Sequence, residues 1–523
     1  MKLALISLGN YRSHAVHLLH AILEQEGFDV RSFFFKPAPL RPTPEEIRLL
    51  VSSVSGHEPE LIGISLLSTY YKLACTVTHM MRERSDTTTI VWGGLHPTVR
   101  PEDCLTHADV VCIGEGEEAI VELARAKQGE LETAVHAIKN LWFNTGRGIV
   151  RNSVRPLLQD LDALPIPHYL CDGKVFINDN RILNVHAHPD MVESYGTMTS
   201  RGCPFACDYC SNQFLRGLYR NKGPYVRRRT VAHVIEELKL ARERFPNLHV
   251  ISFDDDVFTF DDIWIEEFCA SYTRDIGLPF FCCVHPNMVR KSTIKLLRDT
   301  GLRCAVMGIQ SGSSRVREEF FSRRTSDRKI LESARTLRKH RLAVGYDFIT
   351  ENPFETDDDR LATIKLIAQL PRPFHLSLFS LAMFPGTKLT DRALRQGVIG
   401  LEDLECMSEK GYEIYSGCLD LWREDKFLLW DVLYFLAARG VPARLLLPLS
   451  RNRFFVTHIR FIARALRCLP IDYYAFPAYS VHNRLNAVAS RLFSYGILLA
   501  RGNWRFCLKK IKLRLLRKLD LHL

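Results

Sequence analysis

The chemistry-bearing residues of this 523-residue chain are densest in one segment, Cys203-Pro-Phe-Ala-Cys207-Asp-Tyr-Cys210, preceded by Ser200-Arg-Gly202. Three thiolates on one loop can wrap three corners of a soft metal centre, and thiolates are the ligands that iron-sulfur clusters take. The fourth corner would stay open. A zinc ion completed by a nearby histidine is the alternative, but closed zinc sites usually carry paired CxxC knuckles, which the sequence lacks. Ordinary burial accounts for one cysteine and not for three at this spacing.

A second set of residues is rich in glycine. Gly9, Gly93-Gly94 and Gly114-Glu-Gly116 each follow a short apolar run. Open parallel sheets bind ligands at the carboxyl ends of their strands, where a missing side chain lets a ligand approach the backbone. No G-x-G-x-x-G opens a helix after the first apolar run, so a dinucleotide site has no fingerprint here.

The elements that must position these residues alternate along the chain. Apolar runs at 3–7, 61–65, 89–92 and 109–113 are interleaved with helical patterns at 16–25 and 72–84, which predicts a parallel sheet with helices on both faces. From roughly 130 to 195, Pro156, Pro165 and Pro167 predict an extended tether. A second alternation supplies candidate strands at 196–200, 249–254, 280–284, 304–310, 343–349 and 375–383, separated by helical patterns such as 231–245. Six such units with chemistry at strand ends predict a closed or partly closed barrel. Beyond about 400 the chain turns aromatic and basic.

Composition narrows the class. With 46% hydrophobic and 25% charged residues the chain can bury a core and divide into two or three domains, which excludes a disordered or collagen-like protein. Seventy basic against 59 acidic side chains, a net +11, suit an anionic cofactor, substrate or membrane surface as well as nucleic acid, and select none of them. Cysteines such as Cys75, Cys104, Cys112, Cys269 and Cys304 lie inside apolar runs, which predicts reduced thiols and a cytoplasmic location. The apolar start is read as a strand and not a signal peptide. The most apolar stretch, 427–438, contains Asp431 and is too short to span a bilayer.

C-x3-C-x2-C with an aromatic residue before the last cysteine resembles the hallmark of radical S-adenosylmethionine (SAM) enzymes. The resemblance implies that Cys203, Cys207 and Cys210 hold a 4Fe-4S cluster whose unique iron chelates SAM. An electron from the cluster would cleave SAM to a 5'-deoxyadenosyl radical, and Tyr209 would pack near the adenine. Gly308-Ile-Gln-Ser-Gly-Ser313 is similar to the family's fourth-strand segment and brings Gln310 and Ser311 to the SAM ribose. Asp347, followed by Pro353-Phe-Glu-Thr356, is similar to the fifth strand, and Phe384-Pro385-Gly-Thr387 to the sixth, beside the adenine. The second strand departs from the pattern. It ends Ser252-Phe-Asp-Asp-Asp256 where many members carry Gly-Gly-Glu, so Asp254 or Asp255 is expected to accept from the SAM ammonium. The alternative is a solvated strand end leading to a helix capped by Asp261.

Gly63-Ile-Ser65, Val91-Trp-Gly-Gly-Leu-His-Pro-Thr98, Pro101-Glu-Asp103 and the run 109–117 ending Gly114-Glu-Gly-Glu117 resemble the cobalamin (B12)-binding domain fused in front of many radical SAM barrels. Cobalamin is thereby implied, with Ser65, Gly93, Gly94, His96, Gly114, Glu115 and Gly116 in its pocket. The loop Gly9-Asn-Tyr-Arg-Ser-His14 lacks D-x-H-x-x-G, so no protein histidine is expected below cobalt. His14, His17 and His20 are read as loop and helix-surface residues.

The expected fold is α/β: a doubly wound Rossmann-like cobalamin-binding domain over 1–135, a linker over 136–195, a partial (β/α)6 TIM-type radical SAM barrel over 196–400, and a mainly helical basic region over 401–523. The resemblance implies methylation of an unactivated carbon or phosphinate centre of a small-molecule metabolite, a reducing partner such as a flavodoxin or ferredoxin, and no nucleic acid. Radical cyclisation or rearrangement without methyl transfer is the alternative within the class. A regulatory protein with a degenerate barrel is the alternative outside it, and the intact cysteine triplet argues against that. Residues 503–519 place Trp504, Leu508, Ile511, Leu515 and Leu519 on one helical stripe among Lys509, Lys510, Arg514, Arg517 and Lys518. Such a helix suits peripheral contact with an anionic membrane or docking on the barrel.

Overall fold

Each apolar run of the first 130 residues becomes a buried strand in the computed structural model, which describes residues 1–36, 42–129, 135–167, 169, 173–183, 193–404 and 423–467. The chain divides into two units. Unit one comprises Met1–Ile276, Arg317–Arg324 and Ser380–Ser416, and unit two Gly277–Val316, Thr325–Phe379 and Gly417–Leu523.

In unit one, β1 (Lys2–Leu8), β2 (Asp29–Phe35), β3 (Leu61–Ser65), β4 (Thr89–Gly93) and β5 (Val110–Cys112) pair in parallel in the order β5-β4-β3-β1-β2. In this flavodoxin-like order the connections reverse between β1 and β3, and the crevice beyond the strand ends there is the ligand position of open α/β sheets. Side chains alternate between two cores. Phe33 and Phe35 join Ile6, Ile64 and Trp92 on one face, while Phe34 joins Leu5, Val91 and Cys112 on the other. With both faces covered, the strands read as continuous apolar runs rather than alternating ones. Helix starts are set by local caps: the Ser13 hydroxyl accepts from Val16 N before His14–Gln25, and Thr43 and Glu46 form a capping box before Pro44–Ser55.

The tether expected over 136–195 is corrected by the structure. β6 (Leu141–Thr145) and β7 (Gly148–Arg151) extend the sheet beyond β5, while β8 (Lys174–Asn178) and β9 (Arg181–Leu183) extend it beyond β2. The physical reason is edge pairing, because an open sheet edge presents unpaired N–H and C=O groups that such runs can satisfy. Between these strands the described residues of the proline-containing segment keep one 3-10 turn, Leu161–Ala163. Then β10 (Ser194–Thr197) leads to β11 (Ser200–Arg201), which pairs antiparallel with β12 (Arg227–Arg228), and β10 pairs in parallel with β13 (Val250–Phe253).

In unit two, β14 (Phe280–Val284), β15 (Leu302–Gln310) and β16 (Ala343–Thr350) are parallel, with β17 (His375–Ser380) beside β16. Helices Lys291–Thr300, Asp327–Lys339 and Asp357–Gln369 separate them. All six strands expected between 196 and 383 are present, with small shifts at their ends. The apolar stretch around Asp431 is the helix Asp425–Ala438, and Asp431 is buried against Arg423, which also donates to Leu378 O at 3.1 Å. Among the described residues no helix is long and apolar enough to cross a membrane. Cys418, Trp422 and the stripe of 503–519 lie outside the described residues.

Candidate functional site

The cysteine loop joins β11 to the helix Ser211–Leu218, with Cys210 as the helix N-cap residue. It is pinned at Asp208 by three hydrogen bonds to two other segments. Asp208 N donates to Phe321 O (3.1 Å), Leu389 N donates to Asp208 O (3.0 Å), and the Ser322 hydroxyl donates to Asp208 Oδ2 (2.6 Å). Within the loop, Cys210 N donates to Cys207 O (3.0 Å), and Arg216 donates to Cys203 O. Two side chains aim N–H groups at sulfur: Arg323 Nη1 lies 3.7 Å from Cys207 Sγ and Asn212 Nδ2 3.7 Å from Cys210 Sγ. Burial pushes the Cys203 thiol up to about 12 and raises that of Cys210.

Three soft sulfurs on a fixed loop, with N–H donors aimed at two of them, fit a thiolate-held iron-sulfur cluster. The raised Cys203 and Cys210 thiols resist ionisation until a cation compensates the charge. Among the described residues no three His, Cys, Asp or Glu side chains converge on a single-ion site.

The acidic run after β13 splits into three environments. Asp255 is buried and accepts from Thr199 N (3.1 Å), Thr199 Oγ1 (2.9 Å) and the Ser200 hydroxyl, so it ties β13 to the lead-in of the cysteine loop. Asp254 turns away toward His14 Nε2 (3.3 Å) and Ser252. Asp256 is the one whose charge reaches the Cys203 and Cys210 thiols, and Asn212 Nδ2 donates to it at 3.0 Å. Burial raises its carboxyl above the ordinary value. Sequence reasoning singled out Asp254 and Asp255 and passed over Asp256. Arg323 and Asn212 were missed as well, Arg323 because more than a hundred residues separate it from the loop and no local signal marks it.

Tyr209 packs its ring edge against Phe321, with centroids 4.8 Å apart. Pro385 lies in the turn after β17, where the adjoining Gly386 approaches the ring of Phe214 so closely that an added Cβ would sit 3.0 Å from it. In unit two, Gln310 ends β15 at φ +74°, beside a register shift. Ser311 donates to Glu355 Oε1 at 3.3 Å, and burial raises Glu355 to about 7. Asp347 sits on β16, raised to about 6 by burial and opposed by a Ser377 hydrogen bond.

A cavity of about 390 Å³ opens at the β1/β3 switch point of unit one. Ser65, Gly93, Gly94, Gly114, Glu115 and Gly116 line it together with apolar residues such as Leu5, Leu18, Val91 and Ile120, and Leu164, Pro165 and Pro167 close one side. Its size and apolar lining are those of a small-molecule site. Gly94 is required by its backbone: φ is +99°, and an added Cβ would lie 2.9 Å from Leu66 O. Gly114 is required by crowding, since its added Cβ would meet the Tyr219 hydroxyl at 1.9 Å. An apolar, glycine-walled crevice at a switch point fits the nucleotide tail of a cobalamin.

Glu115 is held in an ion network. Arg227 reaches it at 2.5 and 3.0 Å and Arg201 at 3.3 Å, while Arg201 also pairs with Glu117 at 2.7 Å. Arg201 stands two residues before Cys203, so the cavity rim and the cysteine loop share one polar connection.

The structure separates His96 from the other predicted pocket residues. It is buried, its Nδ1 lies 2.9 Å from Ser68 Oγ, and burial lowers its pKa to about 4. His14 does line the cavity, with Nδ1 2.7 Å from the Tyr169 hydroxyl and Nε2 on Asp254. The surface positions expected for His17 and His20 are corrected. Both are buried, His17 against Tyr11 O (2.9 Å) and stacked on Phe34, His20 against Ser32 Oγ (2.8 Å). Unpaired polar atoms are costly in a core, and each ring finds a partner there.

Residues 7–124 match the family model of the B12 binding domain, and residues 197–367 that of the Radical SAM superfamily. The chain is 27% identical over 356 residues to an uncharacterized methyltransferase of Pyrococcus horikoshii, covering 66% of this chain and 72% of that one. It is 24% identical over 326 residues to the anaerobic magnesium-protoporphyrin IX monomethyl ester cyclase of Synechocystis, covering 60% of this chain and 61% of the other. The fold is similar to that of the radical SAM methyltransferase TsrM from Kitasatospora setae, with a TM-score of 0.60 at 17% identity over 76% of both chains.

Proposed function

Since the chain belongs to the radical SAM enzymes that carry an N-terminal B12-binding domain, we propose that it transfers a methyl group from SAM to an unactivated carbon or phosphinate centre of a small-molecule metabolite. One observation carries this reading: the three-cysteine loop and the glycine-walled cavity lie in the same unit, connected through Glu115, Arg201 and Arg227.

When bound, the cluster supplies the electron that cleaves SAM, and cobalamin carries the methyl group toward the acceptor. Cys203, Cys207 and Cys210 hold the cluster in this reading, while Arg323 and Asn212 donate toward its sulfur ligands and moderate their negative charge. Asp256 receives the SAM ammonium in place of Asp254 and Asp255, because its neighbours leave it beside the cysteines. Tyr209, Gln310, Ser311, Asp347 and Pro385 keep the SAM-side roles that the resemblance implies. Ser65, Gly93, Gly94, Gly114 and Gly116 take the nucleotide tail. His14 is not a ligand to cobalt in this reading, since Tyr169 and Asp254 engage its two ring nitrogens. A flavodoxin or ferredoxin supplies the electrons, and no nucleic acid takes part.

The name of the Pyrococcus relative supports methyl transfer. The Synechocystis relative, named a cyclase, supports a second reading in which the same apparatus closes a ring. The two readings leave different products from SAM. Anaerobic protein reconstituted with iron, sulfide and hydroxocobalamin is incubated with SAM, reductant and a cell extract. Methyl transfer accumulates S-adenosylhomocysteine together with 5'-deoxyadenosine, whereas ring closure yields 5'-deoxyadenosine without it.

A further inference from the structure

The net positive charge of this chain is confined to one end. Residues 443–523 hold sixteen of the 70 Lys and Arg and only two of the 59 Asp and Glu, Asp472 and Asp520. Residues 1–442, with 54 basic against 57 acidic side chains, are slightly acidic, so the +11 of the whole chain belongs to its last 81 residues.

The described part of this segment lies in unit two as three short helices, Ala443–Leu449, Arg453–Thr457 and Ile459–Arg467. Leu446 is buried and anchors the first, and Ile459 and Ala463 are buried and anchor the third. Their other side chains expose large apolar groups: Leu445 is 57% exposed, Phe454 70% and Phe461 73%. Arg444, Arg451, Arg453 and Arg464 are exposed with them, and no acidic residue occurs between 443 and 467. A water-facing surface of an ordinary domain intersperses both charge signs and few large apolar groups.

Three occupants could cover this face. A second copy would bring the same arginines against themselves in a self-complementary contact. Residues 468–523, which follow it directly, are themselves basic, with ten Lys and Arg against two Asp, and like charges repel. An anionic lipid surface satisfies both halves of the pattern, because rings and leucine enter the headgroup boundary while arginines snorkel to phosphates. We propose that the face formed by helices Ala443–Leu449, Arg453–Thr457 and Ile459–Arg467 docks the protein on an anionic bilayer surface. The chain lies on the membrane surface by this face, and among the described residues no helix is long and apolar enough to cross it.

The test uses the full-length protein and sedimentation with vesicles of phosphatidylcholine alone or mixed in equal parts with phosphatidylglycerol, at about 0.15 M salt. Two full-length variants separate the contributions: R451E/R453E/R464E reverses charge, and F454S/F461S removes the rings. All five side chains are exposed, Arg451 in the turn between the first two helices and the others on helix surfaces, and circular dichroism checks that both variants keep their helices. The expected result is binding to the anionic vesicles about tenfold tighter than to neutral ones, weakened about tenfold by either variant and by high salt. Equal binding to both vesicle types overturns the proposal. Variants that bind like the parent protein overturn it too, by assigning the contact to residues 468–523. A dimer in ultracentrifugation that F454S/F461S dissociates, or tighter binding to an RNA homopolymer than to vesicles, assigns the face to another partner.

Discussion

The side-chain amide nitrogen of Asn212 lies 3.0 Å from Asp256 Oδ2 and 3.7 Å from Cys210 Sγ, so one amide links the acid to the cysteine loop. The link is fixed from behind, since the Tyr225 hydroxyl donates to Asn212 Oδ1 at 2.7 Å. Because Asn212 opens the helix that Cys210 caps, the acid and the last cysteine keep one geometry.

If Asp256 receives the SAM ammonium, Asp256→Ala weakens SAM binding by about 10- to 100-fold, the worth of a charge-assisted hydrogen bond of about 1.5–3 kcal/mol. Asp254→Asn changes it little. Calorimetry on anaerobic, cluster-loaded protein measures both, and equal losses in the two variants would contradict the assignment.

Asp255 serves the fold. Truncation in Asp255→Ala strands the Thr199 and Ser200 donors in a buried setting and costs about 3 kcal/mol of stability. Thermal unfolding measures this as a lowered Tm, whereas a Tm equal to that of the parent protein would remove Asp255 from the lead-in to the cysteine loop.

Gly94→Ala separates the two cofactors. A β-carbon at φ +99° against Leu66 O strains the cavity wall by about 1–3 kcal/mol. Reconstituted protein is expected to retain less cobalt and unchanged iron. Parallel loss of both metals would place Gly94 in the general fold instead.

Glu355 predicts a pH dependence of stability. Burial raises it from 4.5 to about 7 in the fold, against the opposing effects of Arg360 and Ser311. The folded chain therefore binds more protons than the unfolded one between these values, and stability falls as pH rises from about 4.5 to about 7, then levels off. The drop amounts to about 3 kcal/mol. Denaturant unfolding across this range shows the slope in the parent protein, and Glu355→Gln lacks it.

Much of this architecture is legible in the sequence because strands covered on both faces read as unbroken apolar runs. Residues 280–284 and 343–349 are anticipated almost to the residue, and the glycines at 93–94 and 114–116 mark the cavity because close backbone approach demands them. Strands β6 to β9 are less legible, since short runs such as Leu141-Trp-Phe143 and Val175-Phe-Ile177 lie among proline and turn residues and take their place in the sheet from partners far along the chain. His17 and His20 show the same limit, because their burial depends on acceptors such as Tyr11 O and Ser32 Oγ that only the folded chain brings close. In the acidic run, three identical residues take three different roles through partners supplied by β11, His14 and Asn212. Spacing alone cannot distinguish them.

The central claim, two metal cofactors held at separate sites, is tested most directly by metal and sulfide analysis after anaerobic reconstitution with iron, sulfide and hydroxocobalamin. The parent protein is compared with a variant carrying Cys203→Ala, Cys207→Ala and Cys210→Ala. The account predicts about four iron and four sulfide with about one cobalt per parent chain, and in the variant loss of the iron and sulfide with cobalt retained. Iron and sulfide retained by the variant, zinc without sulfide in the parent, or no cobalt in either protein would contradict it.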